Sequence, residues 1–120
     1  MAIHESGEMY LEAILMLRKE LPQVRSIDIA NHTGYSKPSV SRAMGILKKN
    51  GYISVDESGF ITFTDMGEKH ARDIYERHNV LKQLLVNIGV SEQSAEDDAC
   101  KMEHVISEET LDAIKKYLNL

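Results

Sequence analysis

The apolar residues of this sequence recur at two spacings, and the change between them divides the chain. Up to Lys49 they recur every three or four positions, which is the spacing of helices with one buried face. Two short β-prone runs follow, Tyr52 to Val55 and Phe60 to Phe63, joined by Asp56-Glu57-Ser58-Gly59. Helical spacing returns after Thr64. The pattern predicts a mainly α protein in which three helices and a β-hairpin precede an all-helical region.

The first helix is predicted to begin after a Ser6 cap and to end before Pro22. Its buried stripe consists of Tyr10, Ile14, Leu17 and Leu21. Met9 and Glu12 lie three positions apart, on a different face of the same helix. Spacing alone favours core packing for Met9 and a solvated side chain for Glu12.

Two short helices joined by a turn at Gly34 come next, with Ser26 and Ser36 as their predicted caps. The second tolerates Pro38 in its first turn. It is predicted to bury Val40, Ala43, Met44 and Leu47, and to expose Pro38, Ser39, Ser41, Arg42, Gly45 and Lys49. This arrangement is typical of a helix-turn-helix, and the hairpin that follows makes it a winged one. The alternative is an ordinary pair of helices with a charged outer face, but the β-hairpin that follows makes this alternative less favoured.

A long helix is predicted from a Thr64 cap to about Asn87. Its apolar stripe contains one polar residue, His78, which by itself is most simply a core or interface histidine. The stripe consists of Ala71, Ile74, His78, Leu81, Leu85 and Ile88. Further apolar residues lie beyond it, at Val80, Leu84 and Val86. A small winged domain cannot cover this much apolar surface, so the sequence predicts packing against a second copy of the chain.

The segment from Asp97 to His104 carries a thiol, a carboxylate and an imidazole. If it is helical, Cys100, Glu103 and His104 fall on one face, with Glu96 one turn earlier. Each is a ligand type that transition metals accept. An amphipathic helix with a buried cysteine, a solvated glutamate and a capping histidine is the alternative. Ser91 or Ser94 is the predicted cap of this helix, and Ser107 caps a final helix with Leu111, Ile114 and Leu118 facing inward.

Composition adds a segregation of charge to this picture. The net charge is −5, and the 42% of hydrophobic and 28% of charged residues are ordinary globular values. From Ser36 to Asn50 there are four basic residues and no acid, whereas Ser91 to Asp112 holds eight acids and one lysine. A basic segment suits a phosphate backbone and an acidic one suits a cation. One cysteine, a polar start and no long apolar run predict a cytoplasmic protein without a signal peptide.

Together these elements resemble the iron-dependent repressors, the family of the diphtheria toxin repressor and the manganese transport regulator. The resemblance rests on Glu8-Met9-Tyr10-Leu11, His78 and the run from Asp98 to Val105. It implies a homodimer whose winged DNA-binding domains, residues 1–64, are positioned by divalent metal held with the help of a helical dimerisation domain, residues 65–120. The implied regulatory ligands are Met9, Cys100, Glu103 and His104, and His78 matches a ligand of a neighbouring site. The candidate DNA-contacting residues are Ser36, Lys37, Pro38, Ser39, Ser41, Arg42 and Lys49.

The sequence also departs from the iron-responsive branch of that family. Lys82 stands where that branch has a second carboxylate on the long helix, and Glu96 stands where it has a histidine. Glu12 instead matches a carboxylate ligand of the manganese-responsive branch. A hybrid second ligand set of His78, Glu12, Glu96 and Glu103 is therefore the expectation. Because the sequence ends at Leu120, the SH3-like domain of longer members is expected to be absent.

The leading hypothesis is a metal-activated transcriptional repressor that responds to Fe(II), with Mn(II) as the alternative metal. Sulfur from Met9 and Cys100 favours iron, because manganese prefers oxygen-rich shells. A winged-helix regulator that senses oxidation through Cys100 is a second hypothesis. A metallohydrolase is a third, since C-x-x-E-H superficially resembles the H-x-x-E-H proteases. No second catalytic constellation or Gly-rich loop is visible, so the sequence does not favour an enzyme.

Overall fold

The computed structural model of the protein describes residues 5–120, with Glu5 described by its backbone alone. The polar start that predicted the lack of a signal peptide therefore lies, apart from Glu5, outside the described residues. The elements are α1 Glu5–Glu20, α2 Ser26–Thr33, α3 Lys37–Lys49, β1 Ile53–Val55, β2 Ile61–Phe63, α4 Asp65–Asn87, α5 Glu92–Met102 and α6 Glu108–Leu118. The predicted mainly α fold, with a winged helix-turn-helix ahead of further helices, is confirmed.

The chain forms two compact units, one ending at Arg72 and the other running from Asp73 to Leu120. The division falls inside α4, which is one continuous helix. The sequence placed the domain boundary between residues 64 and 65, and that boundary stays a prediction.

The first unit is built around side chains that its three leading helices bury. Leu11 and Ile14 of α1, Ile29 of α2 and Val40 of α3 are all at most 1% exposed. The turn between α2 and α3 passes through Gly34, whose φ of 79° is the left-handed conformation that favours glycine. This packing leaves the opposite side of α3 open to solvent.

The hairpin pairs β1 with β2 antiparallel, with Ser54 opposite Thr62, and Val24 adds an isolated bridge to Ile61. Its tip is closed by Asp56, whose Oδ1 accepts hydrogen bonds from the backbone N–H groups of Ser58 and Phe60, both at 2.9 Å. A side-chain carboxylate that satisfies two turn amides fixes the turn locally. The predicted wing is therefore a short, internally capped hairpin.

The start of α4 lies against the start of the wing at Gly67. A β-carbon on Gly67 would lie 1.8 Å from the carbonyl oxygen of Tyr52, so only glycine fits there. Thr64 caps the helix as predicted, because its Oγ1 accepts from the Gly67 N–H at 3.1 Å. The same hydroxyl donates to the Gly51 carbonyl at 2.6 Å. Backbone and side chain together hold this junction tightly.

Two expected helix caps and one expected member of the apolar stripe of α4 were wrong. Ser6 lies inside α1. Ser26 lies inside α2, where the Asp28 carboxylate instead accepts the N–H of Arg25 at 2.9 Å, as an acid three positions into a helix can do. Ile88 follows the end of α4 and is 63% exposed, because the chain turns at Gly89 with a φ of 104°.

In the second unit, the buried residues include Ala95 and Ala99 of α5, Leu81 of α4 and Leu111 of α6. Ser91 rather than Ser94 caps α5, and Ser107 caps α6 as predicted. The helix expected to run through His104 ends at Met102. The N–H groups of Val105 and Ile106 both bond to the Met102 carbonyl, at 3.1 and 3.2 Å, which turns the chain.

Candidate metal centre and DNA-binding surface

His78 lies between two carboxylates in the second unit. Its Nδ1 is 2.8 Å from Glu103 Oε2, and its Nε2 is 2.5 Å from Glu96 Oε2. His78 is 8% exposed, so little of the residue reaches solvent. Together with the neighbouring His104 and Lys82, these residues are called the His78 cluster here.

Glu103 is the most deeply buried member of the cluster, with a side-chain exposure of 0%. Its Oε1 makes no hydrogen bond within the part of the chain that the structure describes. Nε2 of His104, whose side chain is 3% exposed, lies 3.3 Å from that oxygen. A buried carboxylate is costly unless a cation or donors balance it. Two imidazoles beside a buried carboxylate are a donor set that a divalent transition metal accepts, so these residues fit a metal.

The carboxylates raise the pKa of His78 to about 9. The hydrogen bond that His78 donates to Glu103 is the largest cause of the raised pKa, the one to Glu96 adds to it, and burial opposes both. At neutral pH a doubly protonated imidazole therefore donates to both carboxylates. An arriving metal ion must displace a proton from it, because a ligating imidazole is neutral.

The outer side of the cluster contains a lysine. Lys82 Nζ lies 3.8 Å from Glu96 Oε2, the oxygen that also contacts His78. The side chains of Lys82 and Glu96 are 36% and 48% exposed. The Nε2 side of the imidazole is therefore partly exposed to solvent, and the Lys82 ammonium already places a positive charge beside it.

Cys100 and Glu103 differ in burial. It is exposed and not part of a disulfide, whereas Glu103 follows the buried Ala99 by four positions and lies on that residue's side of the helix. His104 lies in the turn after α5, so the expectation of one ligand face on a single helix was wrong. The predicted ligands Met9 and Glu12 are half-buried on α1, in the first unit. Their role as ligands stays a prediction.

Sequence reasoning missed Arg77, which fixes the turn that carries His104. Its Nη1 donates to the carbonyls of Glu103 at 3.4 Å and Ile106 at 3.5 Å, and its guanidinium pairs with Glu108. No sequence signal marks this role, because the partners lie 26 to 31 residues away. The proximity of Lys82 to His78 could have been predicted from the sequence, because Lys82 follows His78 by four positions and so shares its side of α4.

The outer side of α3 presents every predicted DNA-contacting residue to solvent. Ser36, Lys37, Pro38, Ser39, Ser41, Arg42 and Lys49 are all exposed. Ser36 caps the helix by accepting the Ser39 N–H at 3.3 Å, and the two hydroxyls lie 2.8 Å apart. Such a helix, with basic and small polar residues at its open side, can enter a major groove.

Other arginines of the first unit are engaged inside the fold. Arg18 pairs with Glu68 at 2.7 Å, and the Arg25 guanidinium lies 4.4 Å from the centre of the Phe60 ring. The basic residues of α3, in contrast, are all exposed on one side of the helix. In the part of the chain that is described, no helix has the length and apolar character needed to span a membrane.

Both parts of the chain match one known family. Residues 2–59 match the N-terminal DNA-binding domain of the iron-dependent repressors, and residues 64–120 match their metal-binding and dimerisation domain. This chain belongs to the iron-dependent repressor family. The resemblance predicted from the sequence is thereby confirmed, and the chain is a metal-dependent transcriptional repressor of that family that binds DNA and dimerises.

The similar proteins include both iron-dependent and manganese-dependent regulators. The transcriptional regulator MntR of Escherichia coli is 37% identical over 108 residues, which cover 90% of this chain and 70% of the relative. The iron-dependent repressor IdeR of Mycobacterium bovis is 29% identical over 116 residues, which cover 96% of this chain and 50% of the relative. The solved structure of a manganese-dependent transcriptional repressor with manganese has 26% identity and a TM-score of 0.86, covering 94% of this chain and 52% of that one. This chain thus spans about half the length of IdeR and of that repressor.

Proposed function

We propose that this chain represses transcription as a homodimer whose affinity for operator DNA is raised by Fe(II), with Mn(II) as the alternative metal. The proposal that the chain binds a regulatory metal rests on the buried Glu103 carboxylate, which lies between His78 and His104. A divalent ion supplies there the positive charge that the buried carboxylate requires. Family membership supports the repressor part.

The proposed regulatory ligands are Met9, Cys100, Glu103 and His104, with His78 beside them and Glu12 and Glu96 as further candidates. Because these residues come from both units, a bound ion limits the arrangements that the units can adopt. Its effect on operator affinity equals its differential affinity for the DNA-competent arrangement, typically ~1–3 kcal/mol. Operator DNA must then tighten metal binding by the same factor.

The proposed DNA contacts are the exposed residues of α3. Arg42 is long enough to reach a guanine edge with two hydrogen bonds, and Lys37 and Lys49 suit phosphates. The serines and Pro38 at the start of α3 are small, so they allow the helix a close approach to the groove. In a dimer, two such helices meet half-sites one helical turn or a multiple apart.

The proposed dimer surface involves α4 and α6 of the second unit. An open hollow of about 440 Å³ is lined by Leu84, Ala113, Ile114 and Tyr117, among others. Tyr117 is 73% exposed, although it is a large aromatic residue. Apolar side chains around an open hollow suit the self-complementary contact of a twofold dimer.

The choice of iron rests on the sulfur atoms of Met9 and Cys100. Iron(II) accepts mixed sulfur, nitrogen and oxygen ligands and binds more tightly than manganese in the usual divalent order. The Met9→Asp, Cys100→Glu double variant should therefore shift the response towards manganese. Operator binding is titrated with Fe(II) without oxygen and separately with Mn(II) for both proteins. A parent that already prefers manganese, with no change in the double variant, would show that sulfur does not set selectivity.

The repressor function itself is tested by metal analysis of protein purified without oxygen, followed by binding to promoter DNA with each metal added back. Binding that requires metal and is lost with a chelator supports the proposal. The exposure of Cys100 favours one other candidate, a regulator that senses oxidation. In that case a chelator leaves DNA binding unchanged, while an oxidant alters it and Cys100→Ser abolishes the alteration.

A further inference from the structure

The two carboxylates that flank His78 are not equivalent. Glu103 has a side-chain exposure of 0%, whereas that of Glu96 is 48%. Water can stabilise the charge of Glu96, but it cannot reach Glu103. Once the imidazole is neutral, as a ligand must be, Glu103 therefore needs a cation on the Nδ1 side of the ring, whereas Glu96 needs none on the Nε2 side.

A neutral imidazole can serve only one of these sides. It has one lone pair for an ion, and its other nitrogen carries a hydrogen that it donates. Metal-bound histidines usually donate that hydrogen to a carboxylate or carbonyl, which fixes the ring. Glu96 Oε2, 2.5 Å from Nε2, is in place to accept it.

Lys82 makes the outer side unfavourable for a second ion. Its ammonium lies 3.8 Å from the same Glu96 oxygen that faces His78. An ion that bound Nε2 and Glu96 together would lie close to this ammonium, and like charges at such short range repel each other. The position of Lys82 on α4, one turn after His78, keeps it on this side of the ring.

From this asymmetry we infer that each chain binds one ion at the His78 cluster, through Nδ1 of His78 and Glu103, while Glu96 accepts the Nε2 hydrogen and Lys82 excludes a second ion. This inference rests on the proposed function, because it takes the cluster to be the regulatory metal site. It assigns Glu96 to positioning His78 and not to ligation. Lys82 becomes the residue that sets the number of ions.

The ligating nitrogen is measured with cadmium-113 and protein whose histidines contain nitrogen-15. A one-bond coupling from cadmium to Nδ1 of His78, with a hydrogen on Nε2, is expected. Glu96→Gln keeps an acceptor for that hydrogen, so it should retain one ion at a 10–100-fold weaker affinity. Coupling to Nε2 in the parent would overturn the inference.

The number of ions is measured by anaerobic Fe(II) titration and by metal analysis after gel filtration. The parent is expected to hold one ion per chain and Lys82→Glu two. Lys101→Glu is the matched control, because it makes the same charge change at an exposed position of α5 outside the cluster, and it should keep one ion. Two ions in the parent, or no difference between Lys82→Glu and Lys101→Glu, would refute the role of Lys82. If metal controls DNA binding but the ion lies on Nε2, only this inference fails, whereas a parent that binds no metal overturns the proposed function as well.

Discussion

Replacing Gly67 with alanine should destabilise the first unit, because α4 and the wing leave no room for a methyl group there. The new β-carbon would lie 1.8 Å from the Tyr52 carbonyl oxygen and 2.8 Å from its carbonyl carbon. Both are backbone atoms, so no side-chain rotation relieves the clash. The start of α4 or the start of β1 must move.

The cost follows from what such a movement disturbs. Overpacking a well-packed region typically costs about 1–3 kcal/mol. The Tyr52 carbonyl also accepts the Thr64 N–H at 3.1 Å, and a weakened hydrogen bond adds ~1 kcal/mol. Alanine is more favourable than glycine inside a helix by roughly 0.5–1 kcal/mol, which offsets part of this loss. A net loss of about 1–3 kcal/mol is expected, which lowers the urea midpoint by roughly 1 M.

Gly45→Ala is the matched control, since Gly45 is a glycine inside α3 with nothing within 4 Å of an added β-carbon. That variant should gain roughly 0.5–1 kcal/mol. Both variants and the parent are unfolded in urea without metal at one protein concentration. Opposite shifts of the two midpoints are expected. If Gly67→Ala is as stable as the parent while Gly45→Ala behaves as expected, the close approach at Tyr52 does not exist in solution.

Three further outcomes are expected. Arg42→Ala should weaken operator binding by ~1–3 kcal/mol, whereas Lys49→Ala should weaken binding to all DNA uniformly and reduce the dependence of affinity on salt. Both affinities are measured by fluorescence anisotropy, and equal losses on operator and random DNA for Arg42→Ala would show that Arg42 does not read bases. Ile114→Glu should yield a monomer by sedimentation at micromolar concentration, where a dimeric variant would exclude this surface. Folding raises the pKa of His78 from 6.5 to about 9, so this residue contributes up to about 3 kcal/mol to the free energy of unfolding. The contribution is complete below pH 6.5 and is lost as the pH rises to 9. Urea unfolding of the metal-free proteins across this pH range should show the loss in His32→Gln but not in His78→Gln.

Local chemistry made much of the fold predictable. Ser36, Thr64 and Ser107 cap their helices because a serine or threonine that precedes a helical run can satisfy the first free amides. Ser26 failed for the same local reason, since Asp28 competes for the same helix start. Predictions of this kind fail when two neighbouring residues offer similar chemistry.

The candidate metal site was less predictable, because its partners are brought together by tertiary packing. Spacing placed His78 among apolar residues, but Glu103 is 25 positions away and Glu96 is 18. A helical wheel relates Cys100 to Glu103, yet it does not tell which of them the fold buries or that α5 ends at Met102. The resemblance to a family supplied the candidate residues, whereas the asymmetry around His78 required the structure.

The distribution of charge has a kinetic consequence. With a net charge of −5, the chain as a whole repels DNA, and the basic side of α3 attracts it only within about a Debye length, ~8 Å at physiological salt. Arg18 pairs with Glu68 and Arg25 lies over the Phe60 ring, so part of their charge is already engaged within the fold. With the proposed DNA contacts on α3, encounters are expected to be productive mainly when α3 faces the DNA. The charges act as an orientation filter during the search for DNA, which keeps accidental complexes short-lived and leaves more of the protein in free solution.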